Sequence, residues 1–280
     1  MPRHLIDISN MSRNDMDWIF NMADEGPQAT VLSGLTLLSA FFQESTRTRL
    51  GFMSAAARQG AAVLDAGSAD RLRLEPQEDQ LIVLAGIADI TVVRHWDAHF
   101  ARNLASLEMC CVVNAGASGA SHPTQSIIDA YVLTKTFQTA IEGIRVLFLG
   151  PLLRSAVSFR ELAAMLEVDV SQHDIAQNMS RDERLRCRSE LRMADVIYVQ
   201  SLSDTRYDGP NLNDSSRGPA LPEWAVDAIL QSNAFIMHAL PRGPEMPDSL
   251  MWHERSLVSQ QVERGLSVRS AVLRWLVQPS

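Results

Sequence analysis

Leu35-Thr36-Leu37-Leu38-Ser39-Ala40-Phe41-Phe42 is a mainly apolar run that passes without a spacer into Gln43-Glu44-Ser45-Thr46-Arg47-Thr48-Arg49. The first stretch has the length and composition of a buried strand. After the second, Leu50, Phe52, Met53 and Ala57 resume at helical spacing. Hydroxyls and guanidinium groups therefore sit where a strand hands over to a helix. There the free N–H groups of a helix start, side-chain hydroxyls and fixed positive charge converge, as a phosphate or acyl phosphate requires. The plainer reading is a helix N-cap with solvated arginines. Two Thr, one Ser and two Arg directly after a buried strand favour the anion site.

The same alternation extends in both directions. Upstream, Ser12-x-x-Asp15 opens an amphipathic helix over residues 7–25. Downstream, strands are expected at Ala61–Leu64, Ile90–Val93 and 112–115, with helices at Leu81–Ile87 and about 126–138. A second series begins at Arg145–Leu149 and continues as a helix through Leu166, a strand at 168–173, a helix at 181–192 and a strand at 195–199. After a loop rich in Asp, Asn, Gly and Pro at roughly 203–220 come a helix at 222–231, a strand at 234–237 and an apolar helix at 266–277. Strands alternating with helices imply an α/β protein with two doubly wound parallel-sheet domains joined by a long helix. The expected boundaries are residues 1–139 for the first domain and 140–265 for the second, with helix 266–280 packing back on the first.

Length and composition agree with this division. At 280 residues the chain exceeds one typical core. Apolar residues at 46% and charged residues at 21% are ordinary for a globular chain and exclude disorder. A net charge of −8 argues against a nucleic-acid partner, which needs clustered positive charge. Three cysteines, two of them the adjacent Cys110 and Cys111, make neither a disulfide framework nor a metal knuckle. The start of the chain lacks the apolar run of a signal peptide, and no stretch reaches about 18 apolar residues. The expectation is a cytoplasmic protein with no membrane partner. Its basic residues are 24 Arg and a single Lys, Lys135, so an Arg where chemistry would favour Lys carries less weight.

Four further motifs fall at strand ends, where open α/β sheets bind ligands. Arg94 and His95 follow the strand at 90–93, and Asn114-Ala115-Gly116 closes the next one. His122-Pro123-Thr124-Gln125 puts an imidazole and an amide on the first turn of a helix, where a neutral His can donate to an oxygen as it becomes negative. His238-Ala239-Leu240-Pro241-Arg242 follows the strand at 234–237, and its Leu-Pro step holds the chain extended with carbonyls free to accept. Singly, these read as a surface arginine, a helix cap and a loop.

Together with Phe42–Arg49 they stand in the order and at about the spacing found in the aspartate and ornithine carbamoyltransferases, a family the chain resembles from its first helix to its last. The resemblance implies a carbamoyl-phosphate domain, a second-substrate domain and a homotrimer with active sites shared between subunits. It implies no metal and no organic cofactor. Carried over by position, Ser45, Thr46, Arg47 and Thr48 match the phosphate turn. Arg94, His122 and Gln125 match the groups around the carbamoyl moiety, and Leu240 the residue whose carbonyl receives the amino group. The implied partners are carbamoyl phosphate and a small amine, with Arg47, Thr48, Arg94 and His122 as the catalytic groups.

The likeness breaks elsewhere. The family's loop Ser and Lys are replaced by Ala69 and Arg73, with Ser68 one position from the missing hydroxyl. The Arg-x-Gln of the aspartate branch becomes Ser201 and Ser203, and Arg154 aligns with another family arginine only through a two-residue deletion. The ornithine branch's Ser-Met-Gly and His-Cys-Leu-Pro are missing as well. The expected acceptor is therefore an amine other than aspartate or ornithine, with Arg73, Arg154 and Arg206 as candidates for holding a single carboxylate. A non-catalytic homologue, acting as a trimeric partner or anion sensor, is the alternative. His95, Asp97 and His99 read as surface features, and no metal site is expected. Cys187, between Arg186 and Arg188, is a candidate for a lowered thiol pKa.

Overall fold

A computed structural model describes residues 1–67, 74–116, 121–138, 141–151, 153–175, 179–202 and 219–278. The chain forms two compact units, one of Met1–Tyr131 with Val262–Ser280 and the other of Val132–Gln261. Each is built on its own parallel sheet.

The first unit contains β1 (His4–Leu5), α1 (Arg13–Glu25), β2 (Thr36–Phe41), α2 (Thr46–Arg58), β3 (Ala62–Asp65), α3 (Gln77–Gly86), β4 (Ile90–Arg94), α4 (Phe100–Ala105) and β5 (Cys111–Asn114). Helix α5 (Pro123–Phe137) carries the chain out of it. The strand order is β1-β5-β4-β2-β3, all parallel. Since β3 flanks β2 on one side and β4 on the other, the order reverses at β2, and the crevice beyond the carboxyl ends of β2 and β4 is the expected ligand position. Leu38, Ala40, Phe42, Leu84, Phe100 and Val112 form the buried packing around this sheet.

The second unit contains β6 (Arg145–Leu149), α6 (Arg154–Met165), β7 (Asp169–His173), α7 (Arg181–Met193), β8 (Val196–Val199), α8 (Glu223–Gln231), β9 (Phe235–Met237) and α9 (Asp248–Met251). Helix α10 (Val258–Leu276) begins here and returns the chain to the first unit. The strand order is β7-β6-β8-β9, again all parallel, and here the reversal falls at β6 and β8.

Sequence cues account for most of these elements. At α1, Ser12 Oγ accepts from the Asp15 N–H at 3.2 Å and Asp15 Oδ2 accepts from the Ser12 N–H at 2.8 Å, which is the reciprocal cap its spacing predicts. Three elements differ from expectation. Strand β1 pairs through only two residues, His4 with Val112 and Leu5 with Val113. Helix α4 is six residues long and buries Phe100, Ala101, Leu104 and Ala105. Neither is long enough to show a period. Helix α10 starts at Val258 rather than 266: its first half is polar, but Leu257 and Val258 are buried, the Leu257 N–H donates to the Ile236 carbonyl at 2.8 Å, and Gln261 Oε1 accepts from the His238 N–H at 3.2 Å. The units divide within α5 and α10, after Tyr131 and before Val262, rather than at 139/140 and 265/266.

Candidate functional site

The carboxyl ends of β2, β4 and β5 are neighbours by register, with Phe41 beside Arg94 and Val93 beside Asn114. Phe42 N–H donates to the Arg94 carbonyl at 2.8 Å and Ala115 N–H to that of Val93 at 2.8 Å, so the pairing continues one residue past the strands. Topology alone thus puts Ser45–Thr48, Arg94 and the segment after Asn114 side by side.

Ser45 is the N-cap of α2, yet its hydroxyl makes no capping hydrogen bond. The plain cap reading therefore does not apply: the hydroxyl and the first N–H groups of α2 are not paired with each other. Thr48 is buried, while Thr46 and Arg47 are exposed. Arg49, the second arginine of the motif, pairs instead with Asp65 at the end of β3, and that hydrogen bond is the main cause of the Asp65 carboxyl lying below its usual range.

Arg94 is buried, and its Nη1 donates to the Ala115 carbonyl at 3.1 Å. Gly116, with φ at +104°, makes room for it. A Cβ there would lie 2.6 Å from Arg94 Nη1 and 3.2 Å from His122 Cδ2, so a glycine is required on both conformational and steric grounds. The same distances bring Arg94 and His122 together. His122 Nδ1 lies 3.3 Å from Thr124 Oγ1. Gln125 Nε2 donates to buried Asp129 at 2.8 Å, which orients the amide. Asn114 holds the loop at both ends, donating to the Ile6 carbonyl at 3.0 Å and accepting from the Gly116 N–H at 3.0 Å.

In the second unit a small cavity of about 20 Å³ lies at the β6/β8 switch point, lined by Leu153, Val199, Gln200, Ser201 and His238 to Pro241. These described lining residues carry no Arg, Lys, Asp or Glu. Leu240 sits in the left-handed region at φ +44°. Its N–H donates to His238 Nδ1 at 2.9 Å, so the imidazole proton lies on Nε2, which faces Glu245 Oε1 at 3.1 Å. Gly243 N–H adds a second donor to that oxygen at 2.9 Å. His238 and Glu245 are both buried. Glu245 and Asp129 were not singled out in the sequence; each is a lone carboxylate on a helix or turn, and only the fold shows its partner. Arg242 is engaged by Asp248 at 2.5 Å.

Arg73, Ala69, Ser68, Ser203 and Arg206 lie outside the described residues, as does the side chain of Arg154, whose backbone opens α6. Asp97 and His99 do not converge on a cation with His95. The Asp97 N–H donates to His95 Nδ1 at 2.9 Å, Asp97 accepts from Gln77 and from the His99 backbone, and the His95 ring stacks on Phe100. Among the described residues no group of three or more His, Cys, Asp or Glu could hold a metal ion, and no helix is long and apolar enough to cross a membrane. Cys187 corrects its reading from sequence: burial, with the Glu190 carboxylate secondary, pushes the thiol up to about 12.

Two parallel units, each with polar groups gathered at its switch point, define a two-part α/β protein of the doubly wound class. Residues 3–135 match the carbamoyl-phosphate-binding domain of the aspartate/ornithine carbamoyltransferases, and residues 162–276 match their aspartate/ornithine-binding domain. The chain belongs to this carbamoyltransferase family. It is 31% identical to the aspartate carbamoyltransferase catalytic subunit of Beijerinckia indica, over 99% of this chain and 94% of that one. Among solved structures, the catalytic subunit of M. jannaschii aspartate transcarbamoylase aligns with a TM-score of 0.77 at 25% identity, covering 98% of both chains. The ornithine carbamoyltransferase of Pyrococcus furiosus shares the fold, with a TM-score of 0.79 at 24% identity over 97% of this chain and 96% of its own.

Proposed function

We propose that the protein transfers the carbamoyl group of carbamoyl phosphate to a small amine that is less acidic than aspartate. The convergence of Arg94 and His122 at Gly116, beside the uncapped start of α2, carries the first part of this reading. In it the N–H groups of α2, the hydroxyls of Ser45, Thr46 and Thr48, and the Arg47 guanidinium hold the phosphate. Arg94 and His122 meet the carbonyl oxygen. In the tautomer that accepts from the Thr124 hydroxyl at Nδ1, the imidazole proton lies on Nε2, the nitrogen that would donate to that oxygen. Gln125, its Nε2 engaged by Asp129, offers Oε1 to the carbamoyl N–H₂.

The neutral amine attacks the carbamoyl carbon with its lone pair, and the carbonyl electrons move onto oxygen. Arg47, Thr48, Arg94 and His122 stabilise that charge more in the tetrahedral state than in the ground state. Collapse breaks the C–O bond to phosphate, and one amine proton ends on the departing phosphate. By the family's pattern Leu240 is the residue whose carbonyl accepts from the amino group; within the second unit its N–H donates to His238, which faces Glu245.

The uncharged described lining of the second unit's cavity, with Ser201 at the position of the aspartate branch's arginine, favours an acceptor with at most one carboxylate, for which Arg73 and Arg154 are the proposed ligands. Two carboxylates brought beside a phosphate must each find fixed positive charge or bear a desolvation cost. A second reading, aspartate as acceptor, is favoured by the names of the relatives. By the family's pattern the chain would act as a homotrimer, and a monomer at micromolar concentration by light scattering would exclude shared sites.

The test is calorimetry with carbamoyl phosphate and phosphonoacetamide, followed by mass spectrometry of carbamoylated products from a mixed pool of amines. Binding with turnover of a monocarboxylic amino acid or amide supports the proposal. Preferential carbamoyl-aspartate supports the second reading, and binding without any product marks a non-catalytic anion binder.

A further inference from the structure

One charged group in the first unit has no place in that chemistry. Arg269, on the part of α10 that belongs to the first unit, is buried at 8% exposure, and its Nε has no hydrogen-bond partner. No carboxylate among the described residues pairs with it. Its guanidinium lies 5.8 Å from the centre of the Phe52 ring, a modest compensation for a cation out of water.

The fold has been opened to admit this cation from two sides. A Cβ on Gly51 would lie 2.8 Å from Arg269 Nη1, and one on Gly265 would lie 2.7 Å from the same atom. Alanine is the better helix former at both positions, so both glycines weaken their helices in return for space. With Arg269 in this position, the two glycines leave the space that its guanidinium occupies.

What lies next to it is the phosphate turn. Gly51 follows Arg47 by four residues in α2 and therefore shares its helix face, one turn of about 5.4 Å further along. The two cations repel. Burial, and after it the charge of Arg47, lower the Arg269 pKa to about 10. In the absence of an anion this like-charged pair is unfavourable for the fold, and a dianion at the start of α2 relieves it.

We propose that Arg269 is a positioning residue: a second, buried positive charge behind the start of α2 that keeps Arg47 turned outward and strengthens the binding of a phosphate dianion there. The inference rests on the assignment of Ser45–Thr48 as the phosphate site and deepens it. Exposed Arg47 contacts the ligand, while Arg269 denies it a resting place along the flank of α2 over Gly51. By linkage, an anion that eases the repulsion is held more tightly for it.

The experiment measures binding of inorganic phosphate and carbamoyl phosphate by calorimetry, and thermal unfolding with and without phosphate, for the full-length wild type, Arg269→Met, Arg269→Lys and Arg47→Ala between pH 8 and pH 10. Arg269→Met keeps the bulk and removes the charge. It should bind phosphate at least tenfold more weakly while melting no lower than the wild type in the absence of ligand. Arg269→Lys should restore most of the affinity at pH 8 and lose it at a lower pH than the wild type, because a buried ammonium gives up its proton sooner than a guanidinium. Phosphate binding that survives in Arg269→Met but is lost in Arg47→Ala overturns this inference and leaves the phosphate site standing. Absence of binding to the wild type overturns both. If Arg269→Met does not fold, Arg269→Lys decides: a pH profile identical to that of the wild type would overturn the proposal.

Discussion

The two units share one plan and differ in what they put at its working end. Each is a parallel sheet whose strand order reverses once, with a turn after every strand at that point. In the first unit these turns present formal or potential positive charge: Arg47 after β2, Arg94 at the end of β4 and His122 after β5. In the second, among the described residues, they present a buried serine, backbone groups and an imidazole turned toward a glutamate. On the proposed reading the contrast is one of substrate charge: a phosphorylated donor needs fixed cations wherever it lands, whereas the acceptor side would be built around a carbonyl that receives N–H. On that reading the second unit keeps His238–Arg242 but has Ser201 and Ser203 in place of the aspartate branch's Arg-x-Gln, so a change of acceptor would lie there.

The largest effect expected from breaking this contrast is at Arg94. Arg94→Ala should lower kcat by roughly 10²–10³-fold, about 2.7–4 kcal/mol, since it removes a preorganised donor to the developing oxyanion. Steady-state kinetics at saturating carbamoyl phosphate would show it, and a kcat within threefold of the wild type would move the oxyanion elsewhere. Arg47→Ala should act on the donor's grip instead, weakening carbamoyl phosphate by about 1.5–3 kcal/mol in calorimetry, the scale of a charge-assisted hydrogen bond.

The corresponding change in the second unit is Glu245→Leu. It leaves His238 Nε2 and the Gly243 N–H without their acceptor in a buried site, at a cost of about 1–3 kcal/mol. The loss should appear in the acceptor KM and in thermal stability, with phosphate affinity unchanged; a parallel fall in phosphate affinity would mean the two halves are not separable in this way. The smallest effect is at Asp65→Asn. It frees Arg49 from an exposed pair and should alter phosphate affinity by no more than about 1 kcal/mol. The Asp65 carboxyl lies below its ordinary value of 3.8, so its contribution to stability is present above that value and is lost only as the pH falls through the lowered pKa. Acid titration of the wild type should show no change from this pair between pH 5 and 8.

What the sequence made legible follows the same division. That Ser45–Thr48, Arg94 and the His122 turn lie together could be read because each is a short run of unusual composition at the end of an apolar strand, and neighbouring strands of an α/β sheet bring such ends side by side. Gly116 was quoted as part of a motif, but its reason, clearance for Arg94 and His122, is a distance between segments that no spacing encodes. Glu245, Asp129 and Arg269 escaped notice for a related cause. A single charged residue on a helix or turn is usually solvated, and only burial distinguishes these three. Helix α4 and strand β1 were missed because they are shorter than one period of the patterns that would reveal them. Cys187 was misjudged because flanking arginines in a helix point away from a buried thiol, so desolvation outweighs their charge.

The central claim, that a charged donor site is joined to an acceptor site no longer made for a dicarboxylate, is tested most directly by the ratio of kcat/KM for asparagine to that for aspartate at saturating carbamoyl phosphate. Loss of a charged partner for one carboxylate costs several kcal/mol, so the account predicts a ratio of roughly 10² or more in favour of the amide. Aspartate emerging as the better acceptor at millimolar concentration would contradict it.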